Sequence, residues 1–431
     1  MDKGREIARY GLEALLRSGA EKAHCVVSFV EKHEMNVDAG EFSLLRTTFD
    51  THVGLTAIKD GKKGQTGANK SDRESIDRAA ADVLSIAEAS QPDDANDIAE
   101  KQPAEVFSAG GDAPDLDRMH MRLAEFLKES KRRHPKAVIR QAYLDFTKTR
   151  SYVQNSNGVD FDSTSGVYHL VTIFSSKEGD KVSSFNYTGF SMRDLDKPLL
   201  EHAGLDRLLR ESGEQTTTVP VKGKFVGDVI ITPECLEDMV RFLVRSVSDA
   251  PMIAGTSIYK DSLNKRVASP SLTIHSRPVS DEISDGYFIT ADGYKAQDMT
   301  LVEKGILKSY MLSLYGAKKT GKERAVSQGG AWVIEPGDTS FDDMVKSIKK
   351  GILLARFSGG NPSANGDFSG IAKNSYLIED GKIQYPISES MISGNFAEML
   401  MNVIAVSKER VHSGFSILPW VAVSGATISG K

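Results

Sequence analysis

Apolar residues Ile7, Leu12, Leu15 and Leu16 recur at helical spacing and Gly19 supplies a stop, which predicts an opening amphipathic helix. His24 to Glu31, Phe42 to Phe49 and His52 to Lys59 are rich in β-branched and aromatic residues and are expected as strands. Asp60-Gly61 reads as a hairpin turn, because glycine accepts positive φ. Ser71-Asp72-Arg73-Glu74 resembles a capping box, with a helix expected over Ser75 to Ala89. From Gln91 to Pro114 the chain is Pro-, Asp-, Ala-, Gly- and Glu-rich without apolar periodicity, which predicts an exposed connection. A helix to about Arg133 follows. Strands are then expected at Val138 to Phe146, Tyr152 to Gln154, Val167 to Phe174 and Ser183 to Phe190, with a turn at Asn157-Gly158 and a helix around Leu199 to Leu209.

Gln215 to Pro220 is expected as the crossing into a second half. That half opens with a strand at Val226 to Ile231 and a helix whose N-cap is Thr232 and whose first residue is Pro233. Hairpins are expected at Glu303-Lys304-Gly305 and Glu379-Asp380-Gly381, and Ser340 begins a helix carrying Met344, Val345 and Ile348. Phe396, Leu400, Val403 and Ile404 are expected on one side of a further helix. The pattern predicts an α+β protein in two parts. Residues 1–220 would form a mixed half of antiparallel strands and flanking helices, with a lesser boundary near 91–114, and residues 221–431 a large, mostly antiparallel β half with few helices.

The 431 residues are 40% hydrophobic and 26% charged, an ordinary globular composition that argues against disorder. Net charge is −5, which disfavours nucleic acid as the main partner. The two cysteines, Cys25 and Cys235, rule out a disulfide framework and a four-cysteine zinc site. The scattered charges of the first twenty residues do not read as a secretory signal, and no run approaches the roughly 18 apolar residues of a membrane span. A reducing, cytoplasmic setting is expected, with no membrane partner.

Individual motifs fall short of catalysis. Gly316 to Glu323 nearly matches a phosphate loop, but Glu323 puts an anion where a Mg²⁺-binding hydroxyl is needed. His33-Glu34 has Val37 where a zinc-binding helix needs its second histidine, and the segment reads as a strand edge. Asp160-Phe161-Asp162-Ser163-Thr164 begins like a calcium loop but has Ser165 at the sixth position and Val171 at the twelfth, so an Asp-rich turn is expected. Val411 to Gly414 lacks the first glycine of a nucleophile elbow. The stretch from Phe357 to Gly370 is expected as a long Gly/Ser/Asn loop whose backbone N–H groups suit a peptide main chain or a partner's edge. Its candidate contacts are Phe357, Ser358, Gly359, Gly360, Asn361, Asp367, Phe368 and Ser369.

Taken in order, Asn155 to Gly158 with Ser163 to Ser165, Asp292 to Thr300, Glu303 to Leu314 leading into Ala317 to Gly321, Phe357 to Ser369 and Pro386 to Asn402 resemble the TldD/PmbA family. That family carries the label of DNA gyrase modulators and is understood as paired subunits of an intracellular metalloprotease. TldD-type chains have H-E-x-x-x-H on the helix opening the C-terminal domain, plus a late cysteine. Here Pro233 and Asp238 stand at the corresponding histidine positions, with Glu234 beside Pro233, no histidine lies between 203 and 274, and no cysteine follows Cys235. The resemblance therefore implies a PmbA/TldE-type subunit with no catalytic residue and no metal of its own, and with zinc in the partner. It further implies a TldD-like catalytic subunit as heterodimer partner and small or unfolded peptides as substrates, and it leaves open a homodimer when that partner is missing. Two other readings stand beside it. One is a regulator that binds DNA gyrase or another protein directly; the other is a hydrolase whose metal ligands, such as His169, His275 or His412, come from distant segments.

Overall fold

The structure, a computed structural model, describes residues 3–430. The chain runs through α1 (Lys3–Arg17), β1 (Lys22–Asp38), β2 (Glu41–Lys59), β3 (Lys62–Ala68), α2 (Arg73–Ala89), β4 (Glu105–Gly110), α3 (Leu116–Arg133), β5 (Ala137–Asn155), β6 (Asp160–Glu178), β7 (Lys181–Val182) and β8 (Asn186–Met192). A 3₁₀ turn at Leu199–Glu201 and α4 (Leu205–Glu214) follow. Among the described residues these strands form one sheet in the order β3-β2-β1-β5-β6-β4, with β7 and β8 also paired to β6. All pairings are antiparallel except β4 with β6. Its central ribbons are long, 17 to 19 residues each.

One face of that sheet is buried under helices. Ala23, Cys25 and Val27 pack with Leu15 of α1 and Val83 of α2, while Met35 and Val37 pack with Leu123 and Phe126 of α3. All these β1 positions are odd-numbered, and alternate residues share a face, so the two helical layers cover two stretches of the same side. The hairpin between β2 and β3 is as expected: Asp60 and Gly61 both have positive φ, +51° and +71°, the pair a tight primed turn requires.

The second half contains β9 (Lys224–Ile231), α5 (Pro233–Ser246), α6 (Asp249–Ile253), β10 (Ile274–Ser276), β11 (Met299–Glu303), β12 (Ile306–Leu307), α7 (Leu314–Thr320), β13 (Trp332–Ile334), α8 (Phe341–Ser347) and β14 (Lys350–Leu354). It continues with β15 (Arg356–Gly359), β16 (Asp367–Lys373), β17 (Tyr376–Glu379), β18 (Lys382–Pro386), β19 (Ser390–Asn395), α9 (Phe396–Met401), β20 (Val403–His412) and β21 (Ser416–Ser429). The main path of this second sheet is β12-β11-β10-β13-β21-β9-β14-β17-β18, while β19 links β21 to the β15–β16 hairpin. Among its strands in the described residues, only β13 with β21 and β14 with β9 run parallel. The fold is thus α+β, with an antiparallel first sheet under helices and a larger, mostly antiparallel second one. No helix among the described residues is long and apolar enough to cross a membrane.

Several local expectations are corrected. Phe42 to Phe49 and His52 to Lys59 are one continuous β2, because β1 pairs with it across the whole length. His33 and Glu34 lie well inside β1. Asp72, not Ser71, caps α2: its carboxylate accepts the Ser75 N–H at 2.9 Å. The helix expected at 199–209 is split into the 3₁₀ turn and α4. Asp160 to Thr164 is the start of β6 rather than a turn, and Arg5 answers both carboxylates, at 3.0 Å and 2.6 Å. Val403 and Ile404 begin β20 and do not extend α9. Residues 91–114 are the largest correction: Ala95, Ile98 and Ala99 are buried, and β4 adds a strand to the first sheet.

Candidate functional site

Helix α5 is positioned by its own first residues. Thr232 is extended, its N–H donates to the Leu354 carbonyl at 3.1 Å, and Pro233 fits the first helical position where a missing N–H is harmless. Thr232 caps by backbone only, since its hydroxyl donates instead to the Ala355 carbonyl at 3.4 Å. Cys235, Leu236, Met239, Val240 and Leu243 turn inward against Val421 and Val423 of β21. Glu234, Glu237, Asp238, Arg241 and Arg245 are left on the outward face.

The acidic residues of that face meet arginines. Glu234 is hydrogen-bonded to Arg207 of α4, which also holds Glu211 at 3.0 Å and lies 5.4 Å over the Trp420 ring. Burial pushes the Glu211 carboxyl up from its ordinary range, with Arg207 opposing. Asp238 lies 3.6 Å from Arg241; burial raises its pKa, and Arg241 and Arg356 pull the other way. Pro233 and Glu234 border a small cavity of about 150 Å³ with Tyr187 and Phe415.

Asp238 instead faces a cleft of about 450 Å³ shared with the β15–β16 hairpin. The expected long loop is this hairpin, with Arg356 opposite Lys373 and Gly359 opposite Gly370 and a tip at residues 360–366. A side chain at Gly359 or Gly370 would place Cβ 2.5 Å from the Phe357 ring, so the ring lies across both glycines. Phe357 meets Phe368 edge-on, Phe368 stacks on Phe396 at 4.3 Å, and Phe396 stacks on Phe242 of α5. This aromatic series holds the hairpin against the helix.

Phe357, Ser358, Gly359, Gly360 and Asn361 line the cleft. Asp367, Phe368 and Ser369 do not. Phe368 is core, and Asp367 accepts hydrogen bonds from Asn365 and Asn395, both at 2.9 Å, tying the hairpin to the N-cap of α9. The reading of residues also missed Arg241, Arg245, Arg356, Phe185 and Tyr187, all of which border the cleft. Asp238, Arg241 and Arg245 fall at i, i+3 and i+7, a one-face signal that was legible. Arg356 was not, because it reaches the cleft through sheet pairing. Its guanidinium lies 3.5 Å over Tyr187 and donates to the Asn186 side chain at 3.1 Å.

The distant histidines are held separately. His169 contacts Asp145 at 3.1 Å and Asp285 at 3.2 Å; His275 contacts Thr300 at 2.9 Å and Glu335 at 3.2 Å. His412 ends β20, where burial lowers its pKa. Among the described residues no three His, Cys, Asp or Glu side chains are grouped so as to hold a metal. Burial pushes the Cys25 thiol up to about 12 and the Cys235 thiol higher still.

Two family models match the chain: the PmbA/TldA metallopeptidase C-terminal domain over residues 223–430 and the PmbA/TldA metallopeptidase domain 1 over residues 26–87. The chain belongs to the PmbA/TldD metallopeptidase family. It is 26% identical over 445 residues to metalloprotease PmbA of Escherichia coli O157:H7, covering 95% of this chain and 94% of that one. It is 29% identical over 212 residues to a zinc metalloprotease TldD homolog of Saccharolobus solfataricus, covering 46% and 47%. Its fold matches the crystal structure of TldE from Thermococcus kodakarensis, with a TM-score of 0.84 at 20% identity over 99% of both chains. A candidate DNA gyrase modulator from Bacteroides thetaiotaomicron matches with a TM-score of 0.85 at 20% identity over the full length of both.

Membership in a metallopeptidase family raises the question of zinc, and the donors on α5 do not fit it. A structural or hydrolytic zinc takes about three or four nitrogen, sulfur or carboxylate ligands. Proline at 233 offers no side-chain donor, Glu234 is bound to Arg207, and the Cys235 sulfur is buried on the opposite face. No catalytic step through a metal is derived for these residues.

Proposed function

We propose that this chain is the subunit without zinc in a two-subunit peptidase, paired with a TldD-like chain that carries the metal and cleaves small or unfolded peptides. The observation that supports this reading is the chemistry of α5, where Pro233, Glu234 and Asp238 stand in place of a histidine-rich zinc helix and Arg207 occupies the glutamate. Without a metal-bound water, Glu234 has no nucleophile to activate. The chain's part is then to shape the substrate path and contact the peptide, with the cleft beside Phe357 to Asn361 as the contact surface. Homologous chains with one fold and different donor sets suit such a division of labour, since the scaffold is retained while one partner keeps the chemistry.

The test is peptide hydrolysis by the purified chain alone, by a TldD-like partner alone, and by both together. Activity is expected to need the partner's histidines and to rise when this chain is added. Hydrolysis by this chain alone, abolished by chelation, would refute the proposal. Deleting residues 360–365 is expected to weaken cleavage by the pair while leaving co-elution intact, and undiminished cleavage would remove the contact role from the hairpin tip.

A further inference from the structure

The cleft between α5 and the β15–β16 hairpin holds more positive charge than its own carboxylate answers. Asp238 is the one acidic residue on its walls, against Arg241, Arg245, Arg356 and Lys373. Lys373 is engaged by Glu389 at 3.1 Å. The three arginines are not comparably satisfied. Arg241 lies 3.6 Å from Asp238 and 3.9 Å from Glu237, beyond hydrogen-bond length. Arg245, one turn further along α5, is exposed and has no side-chain partner among the described residues. Arg356 donates to a neutral amide oxygen on Asn186 and, among the described residues, makes no ion pair within salt-bridge distance. The walls therefore carry a surplus of cationic donors in a chain whose net charge is −5.

The geometry of Arg356 favours a planar anion. One guanidinium face is covered by Tyr187 at 3.5 Å, with Phe185 5.5 Å away. A guanidinium stacked in this way is fixed in plane, and its N–H fork is preorganised for the two oxygens of a carboxylate. The neighbouring surface suits the rest of a peptide. Phe185 and Tyr187 leave 59% and 52% of their area open, Phe357 walls the cleft, and Gly360 has no heavy atom near the position a Cβ would take. Aromatic walls beside a few convergent charged donors are the usual composition of a small-ligand site.

We infer that Arg241, Arg245 and Arg356 form a carboxylate-binding site, which takes a peptide through its C-terminal carboxylate or through an acidic side chain near that end. The inference rests on the peptide-contact reading above and adds the ligand's chemistry. The site has an electrostatic signature: exposed arginines bind less tightly as salt rises, whereas aromatic contact alone does not weaken.

The test is calorimetric titration of the full chain, without any partner, with three short probes. These are N-acetyl-Gly-Gly-Phe as the free acid, the same peptide as its C-terminal amide, and the N-acetyl-Gly-Glu-Phe amide. The free acid or the glutamate-bearing amide is expected to bind at least about tenfold more tightly than the neutral amide, the factor a charge-assisted hydrogen bond supplies. Whichever of the two binds tells the terminal carboxylate from the side chain. Arg245→Gln, at an exposed residue without a partner, is expected to cut affinity about fivefold or more without changing stability, and Arg356→Gln to cut it further. Equal binding of all three probes, or undiminished affinity in Arg245→Gln and Arg356→Gln together, would overturn the site. Inorganic phosphate displacing the peptide acid at equal concentration would do the same, since it would mark a site for anions in general. Failure here leaves the hydrolysis assay of the pair untouched, and failure there leaves carboxylate binding by the lone chain measurable.

Discussion

Residues 91–114 and 357–370 are alike in composition and opposite in fate. Both are poor in apolar periodicity and rich in turn-forming residues. The first is pinned between the two sheets. Asp93 accepts from Tyr315 at 2.8 Å and Lys319 at 3.0 Å, Asp97 from Lys22 at 2.6 Å and from Lys318, and Glu105 pairs with Lys295 at 2.7 Å. Phe107 stacks on Phe288 at 5.2 Å and meets Phe161 at 5.7 Å. The second is anchored at its base by Phe357 and Phe368 and tied back at Asn365 and Gly366 by Asn395 and Phe396, while its tip stays open at Gly360. Turn-rich composition describes what the backbone can do; burial follows from whether another segment supplies partners.

The strongest way to break this contrast is Phe107→Ala. Phe107 is 9% exposed, and its removal from a packed contact between halves is expected to cost about 3–5 kcal/mol in urea denaturation. An unchanged midpoint would return residues 91–114 to the status of a bare connection.

His169 reports on the same junction from the first sheet, since it bridges Asp145 to Asp285. Burial works against its charge, but the two carboxylates outweigh it and raise its pKa from 6.5 to about 9. The folded state therefore favours the imidazolium. Its contribution is complete below about pH 6.5 and is lost as pH rises through about 9, a change on the order of 2–3 kcal/mol. Stability measured across that range is expected to fall, and His169→Gln to flatten the fall; a slope unchanged in that variant would remove His169 as its source.

Asp97 gives a smaller, acid-side effect. Burial disfavours its charge, yet Lys22, Lys318 and the Ile98 N–H hold its pKa near 2. Its stabilisation is present above the ordinary carboxylate range and lost as pH falls through about 2. Asp97→Asn is expected to cost about 1 kcal/mol near neutral pH, after allowance for solvent screening, and to reduce the loss of stability in acid. The smallest effect belongs to the open hairpin tip. Gly360→Ala is expected to shift stability by no more than about 0.5 kcal/mol, because the added methyl meets no neighbour and φ there is not left-handed. A larger loss would mean that the tip is packed.

How much of the candidate site was legible follows the same division. Pro233, Glu234 and Asp238 could be set on one helix from Thr232-Pro233 alone, since a cap and a first-turn proline act within a few residues. Phe357 to Asn361 could be singled out by composition, but Asp367 and Phe368 could not be separated from them, because their roles depend on Asn395 and Phe396 some 28 residues later. Arg356 could not be placed at all: Asn186 and Tyr187, which orient it, are 170 and 169 positions away.

The sequence by itself determined the turns at Asp60-Gly61 and Asp380-Gly381, the opening helix α1 though not the exposure of its Leu16, the Thr232-Pro233 start of α5, the α+β class, and the lack of histidine along α5. These depend on local φ/ψ preference, side-chain periodicity and residue identity. Tertiary structure alone decided that β4 joins the first sheet, that Arg207 neutralises Glu234, and that three arginines and one aspartate line a cleft beside an aromatic wall. Each of these needs segments tens to hundreds of residues apart to meet. Such meetings are selected by the packing of whole sheets and helices, for which no short window of sequence carries the energy.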